Sequence, residues 1–130
     1  MTNATIKNIH EIENAAEKHG MSPGLEARFG HDDLECEQTA FSYQKLAPGF
    51  RMPFGHKHQN AEELYVVTGG GGRVKLDDLV QDVNQGDVIR VGPAIMRAFE
   101  AGPDGLEFFV FSARDEGKND AEMKPDWWSD

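Results

Sequence analysis

His56-Lys57-His58, followed by Glu63, is the stretch of this chain whose residue types and spacing could do chemistry. Side chains alternate along an extended segment, so two histidines one residue apart point to the same side. Glu63 follows His58 by five residues and opens a β-prone run, Glu63–Thr68. Two imidazoles and a carboxylate form a donor set for a divalent metal. A His-x-His pair alone is a weak signal, because surface histidines often fall near each other. The carboxylate, the strand and the glycine cluster Gly69 to Gly72 that follow make it more specific. The competing reading is a polar mouth in which the histidines hydrogen-bond to backbone or solvent.

The elements that must position these residues read as short strands. Gly and Pro punctuate runs at Leu25–Phe29, Gln38–Leu46, Phe50–Pro53, Glu63–Thr68, Gly72–Leu76, Leu79–Asn84, Asp87–Val91, Arg97–Ala101 and Leu106–Phe111. Many short strands at close spacing predict an all-β barrel or double-sheet jelly roll. Gly69 to Gly72 is expected to be a hairpin turn, since no Lys-Ser/Thr and helix follow to make a phosphate loop. Before the strands, Asn8 to His19 reads as a short helix. Asn8 supplies a cap, Glu11 completes a capping box and Gly20 supplies a stop. Ile9, Ile12 and Ala16 share its inner face. The tail, 113–130, is acidic and polar until Trp127-Trp128, two rings expected to pack on the barrel or on a partner subunit.

The 130 residues suit one domain with its core over about 25–112. Thirteen basic against twenty-three acidic residues give a formal charge of −10, which repels phosphate backbones and anionic lipid. Neither nucleic acid nor a membrane is an expected partner, and no apolar run reaches the length of a membrane span. Met1 to Lys7 lacks the apolar segment of a secretory leader, and the lone Cys36 allows no internal disulfide. The expected compartment is the cytoplasm. Cys36 is expected in a strand rather than as a nucleophile, and His31, before Asp32-Asp33, in a loop rather than as a ligand.

His56-x-His58-x4-Glu63-x6-Gly70 resembles the first motif of the cupin superfamily, G-x5-H-x-H-x3–4-E-x6-G. Gly49 precedes His56 by one residue more than that pattern. The second motif, G-x5-P-x-G-x2-H-x3-N, started at Gly86, puts Gly92 at its proline, Ala94 at its glycine, Arg97 at its histidine and Ala101 at its asparagine. Pro93 and Phe99 keep part of its character. The fifteen residues between Gly70 and Gly86 match the spacing of compact one-domain cupins. The resemblance covers roughly Gln38 to Ser112. It implies a double-stranded β-helix, a jelly-roll barrel with a short N-terminal helix. It also implies His56, His58 and Glu63 as metal ligands, with Glu62 pointing outward and Tyr65 and Val67 sharing the face of Glu63.

Arg97, in place of the family's fourth ligand, makes Zn, Ni, Mn or Fe binding weak or absent. At ~5 Å and an effective dielectric of ~20, its repulsion is roughly 3 kcal/mol per unit charge, about double for a divalent ion. Arg97 would anchor an anionic ligand, replace the metal, or pair with Glu63. Tyr65 and Phe99 join Arg97 as candidate ligand-binding residues. Three functions follow from the resemblance. The first is a metal-dependent enzyme of isomerase or oxygenase type acting on a small anionic metabolite. The second is a metal-free small-molecule binding or sensing module. The third is an interaction protein with a vestigial site. A homodimer is expected, because a barrel's sheet edges gain by pairing and Trp127-Trp128 supplies an apolar patch.

Overall fold

The computed structural model describes residues 3–114 and 120–130. Met1, Thr2 and the 115–119 part of the expected tail lie outside the described residues. Eight strands form one curled sheet: β1 Leu25–Phe29, β2 Thr39–Leu46, β3 Phe54–His58, β4 Glu63–Leu76, β5 Leu79–Asn84, β6 Val88–Val91, β7 Arg97–Ala113 and β8 Ala121–Pro125. All pairings are antiparallel. The long strands β4 and β7 run side by side from Leu64↔Phe111 to Leu76↔Arg97. β5 and β6 pair with β4, while β2 and then β1 extend the sheet from β7. β3 touches β7 at His56↔Arg97 and pairs along its length with β8.

Alternation sets the inner face. Tyr65 and Val67 of β4 and Phe99, Ala101, Leu106, Phe108 and Val110 of β7 are buried. The Phe99 ring lies 4.6 Å from that of Phe108 and 5.0 Å from that of Tyr65. Full burial of each such ring contributes about 1.5–3 kcal/mol, so this stack is a main anchor for the two long strands.

Several expectations are corrected. Gly69 to Gly72 do not turn the chain. They lie inside β4, where the register slips between Val67 and Gly69 and again between Gly70 and Gly72. A Cβ at Gly70 would meet the Gly105 carbonyl oxygen at 2.0 Å, and one at Gly72 the Glu100 oxygen at 2.0 Å. The glycines let β7 approach a bulged strand closely. Likewise the runs Arg97–Ala101 and Leu106–Phe111 are one bent strand. The run Phe50–Pro53 holds only an isolated bridge, Arg51↔Glu100, and the strand begins at Phe54.

The N-terminal helix is two 3₁₀ turns, Ile9–Glu11 and Ala15–His19. The capping box of Asn8 with Glu11 forms as expected, but Asn14 starts a second turn and its side chain also accepts from Ala27 N–H. That bond ties the start of the second turn to β1. Gly20 ends the second turn in the left-handed region, φ 70°. Cys36 lies in the loop after β1, not in a strand. The tail contains β8, and its Trp127 and Trp128 rest on their own barrel. Trp128 Nε1 donates to Met52 O at 3.1 Å, and Gly55 leaves room for the Trp127 ring.

Candidate metal centre

β3 carries His56 and His58 two positions apart, and β4 begins with Glu63 after a short connection. The local fold therefore delivers all three to one end of the barrel. Their ligand atoms lie within 4.8 Å of one another. His56 Nε2 is 3.6 Å from Glu63 Oε1, and His58 Nε2 is 3.4 Å from Glu63 Oε2. Donors bound around one ion at about 2.0–2.2 Å in a tetrahedron sit roughly 3.3–3.6 Å apart. The spacing and the donor types fit a divalent cation.

A fourth residue holds the set in place. Asp120, just before β8, contacts His58 Nδ1 through Oδ1 at 2.8 Å and accepts from Asn60 N–H through Oδ2 at 3.0 Å. A carboxylate on Nδ1 favours a proton there, so that the neutral ring would present Nε2 to an ion. Tyr65 donates its hydroxyl to Glu63 Oε1 at 2.7 Å. Burial acts to raise the Glu63 carboxyl pKa, but contacts with His56, His58 and Tyr65 outweigh it and hold the group well below the ordinary carboxylate range. His58 is shifted up, first by Glu63 and then by Asp120, against the effect of burial. Burial and Glu63 push the Tyr65 hydroxyl far above its usual value, so it stays a proton donor. Asp120 is shifted down, chiefly by the Asn60 N–H.

No family model matches the chain, and no curated protein matches it. Solved structures do. A cupin protein from Bacteroides fragilis superposes with a TM-score of 0.72 at 22% identity, over 88% of this chain and 87% of that one. The polyketide cyclase RemF from Streptomyces resistomycificus superposes at 0.74 with 16% identity, over 100% of this chain and 89% of that one. Oxalate decarboxylase from Bacillus subtilis, a protein with Mn(II) centres, superposes at 0.70 with 22% identity. That match covers 88% of this chain but only 31% of the decarboxylase. The chain has the cupin fold.

Within this cupin barrel, Arg97 sits opposite His56 across the β3–β7 pairing and is 0% exposed. It points inward, on the face of Phe99. Its two hydrogen bonds among the described residues go to backbone carbonyls, Nη1 to His56 O at 3.4 Å and Nη2 to Gly92 O at 3.5 Å, and its Nε has no hydrogen-bond partner. An ion pair with Glu63 is not among those of the described residues. The expectation that Arg97 shares one cavity with the histidines is also corrected. The cleft that His58 and Glu63 open onto, of ≈ 330 Å³, is lined by neither His56 nor Arg97, and Arg97 is fully buried. Phe99 and Tyr65 belong to the core at 1% and 2% exposure, and Tyr65 reaches the site only through its hydroxyl. Glu62 points outward, toward Arg90 at 3.3 Å.

Sequence reasoning missed Asp120, placed as it is among other acids in an acidic tail. The one available signal would have been that a metal-facing histidine needs an acceptor on its other nitrogen.

Proposed function

We propose that this cupin barrel is a metal-dependent enzyme acting on a small anionic metabolite, with His56, His58 and Glu63 as ligands to a divalent cation. The observation that carries this is Asp120 on His58 Nδ1, which presents Nε2 to the same point as His56 and Glu63. A histidine merely satisfied at a polar rim has no need of that arrangement. Imidazole with carboxylate suits Zn, Ni, Mn or Fe, and Mn(II) in a decarboxylase of the same fold supports the choice of Mn(II) as first probe. Bound there, the ion would act as a Lewis acid on a substrate oxygen. Glu63 offsets its charge, Asp120 keeps His58 in the ligating tautomer, and Tyr65 fixes the Glu63 carboxylate through Oε1.

One observation favours metal-free capture of the ligand instead. Glu63 already takes a hydrogen bond from Tyr65 and contacts both imidazoles, so these neighbours satisfy it without an ion. Calorimetric titration of untagged protein with Mn(II) and Zn(II) separates the readings. Saturable equimolar binding that His56→Ala weakens by at least about 100-fold is expected, since a ligand is deleted. No binding by the parent would overturn the metal reading.

A further inference from the structure

The cleft beside His58 and Glu63 has an opposite wall that the metal set does not use. It is built by β1, β2 and β7, whose paired positions Phe29↔Ser42 and Ser42↔Val110 face the same side. Phe29, Ala40 and Val110 make that wall apolar, while the Phe41 ring lies on the other face, against Gly30. At its edge stand His31, in the turn after β1, and Arg114, at the end of β7. Both carry a buried nitrogen with no hydrogen-bond partner, His31 Nδ1 and Arg114 Nη1. Buried nitrogens without partners are uncommon, and each costs free energy until an acceptor arrives.

The guanidinium is half engaged. Asp32 takes Arg114 Nη2, and that ion pair orients the fork while leaving Nη1 without an acceptor. A planar fork with one unpaired arm, on the same cleft as an imidazole with an unpaired nitrogen, matches a carboxylate better than a neutral group. We infer that Arg114 and His31 form an anion-recognition subsite, and that the ligand of this cleft is a small carboxylate with an apolar body lying along Phe29, Ala40 and Val110. The inference rests on the reading of this cleft as the ligand site of the barrel. It moves the anchor expected at Arg97 to a different residue on a different strand end. The volume is near the lower end of the ~300–1,000 Å³ usual for ligand pockets, which limits the body to about one ring. The chain's overall charge of −10 would otherwise repel such a ligand, so local cations are needed to hold it.

Benzoate is the probe and benzamide its neutral counterpart, each titrated by calorimetry into untagged protein with and without saturating Mn(II). Benzoate is expected to bind at least about 10-fold more tightly than benzamide. Arg114→Gln and His31→Gln are each expected to lower benzoate affinity by about 10-fold or more, the usual scale for a charge-assisted hydrogen bond. Mn(II) affinity should stay at the parent value, which also reports that the fold is intact. Arg114→Lys keeps a cation for Asp32 but loses the second arm, and it too should weaken benzoate. Equal binding of benzoate by parent and Arg114→Gln, equal binding of benzoate and benzamide, or no benzoate binding at millimolar concentration would each overturn the subsite. Absence of Mn(II) binding with Arg114-dependent benzoate binding would sink the metal reading and leave the subsite standing.

Discussion

Asp120 shows how one residue can decide whether a pair of histidines is a site. Its two oxygens divide their work: Oδ1 holds His58, and Oδ2 ties the connection between β3 and β4 through Asn60 N–H. The carboxylate therefore fixes both the tautomer of one ligand and the loop that leads to another, Glu63. Asp120→Asn keeps the size and can still accept from Asn60, but it loses the negative charge that favours a proton on Nδ1. Mn(II) affinity is expected to fall by about 10- to 100-fold, as for other groups that orient a ligating histidine. Unchanged affinity in the calorimeter would mean that His58 does not need its partner to ligate. Arg97 offers the contrast. Its type suggested an anion anchor, yet its guanidinium is spent on the carbonyls of His56 and Gly92 and sees no cleft.

Among the elements, β8 connects the site to the far end of the chain. It pairs with β3 from Phe54↔Pro125 to His58↔Ala121, and so places Asp120 beside His58. Beyond it, Asp130 is clamped. Arg73 reaches Glu100 at 2.7 Å and Asp130 at 3.2 Å, Arg51 reaches Asp130 at 3.1 Å, and the Arg51 guanidinium lies 4.5 Å from the Trp128 ring centre. Burial opposes the charge on Glu100, but Arg51 and Arg73 outweigh it and lower its pKa; Asp130 is lowered chiefly by Arg73. Both acids bind a proton less readily folded than unfolded. Their stabilisation is therefore complete above the unfolded values, about 4, and is lost as pH falls through the lowered folded ones. Arg73→Met should lower the urea midpoint at pH 7, and the gap to the parent should narrow as pH drops from 5 toward 2. A gap independent of pH would show that these ion pairs do not hold the tail.

The tail's role could not be read in advance, because Ala121–Pro125 has every residue exposed and no apolar alternation to announce a strand. The strands around Tyr65, Val67, Phe99 and Phe108 were legible, since their inward positions are apolar. Their joins were not: glycines 69–72 read as a turn until the register of β7 shows two backbones too close for a Cβ.

At the scale of the molecule, the open question is what covers the sheet's edges. The Trp127-Trp128 pair no longer argues for a partner, since Lys75 lies 4.1 Å over the Trp127 ring and Arg51 covers Trp128 within the same chain. The edges themselves still do. Among the described residues β5 pairs with β4 alone, and Leu79 and Val80 on it are 56% and 40% exposed, with Val88 of the neighbouring β6 at 60%. An edge strand with unpaired backbone groups and exposed apolar side chains is a template for pairing with another strand, and a two-fold axis would let two copies of β5 satisfy each other, with Asp82 as the charge such pairing must accommodate. We propose a homodimer through this edge. Each chain carries −10, so two copies repel, and added salt should screen that repulsion and strengthen the dimer. Sedimentation equilibrium is expected to give about twice the 14.5 kDa chain mass at tens of micromolar protein. Leu79→Lys puts a charge on the strand, as natural edges do to prevent pairing, and should return the monomer mass without changing Mn(II) affinity. A monomeric parent would rule out the dimer, whereas a dimer that survives Leu79→Lys would place the contact elsewhere than on β5.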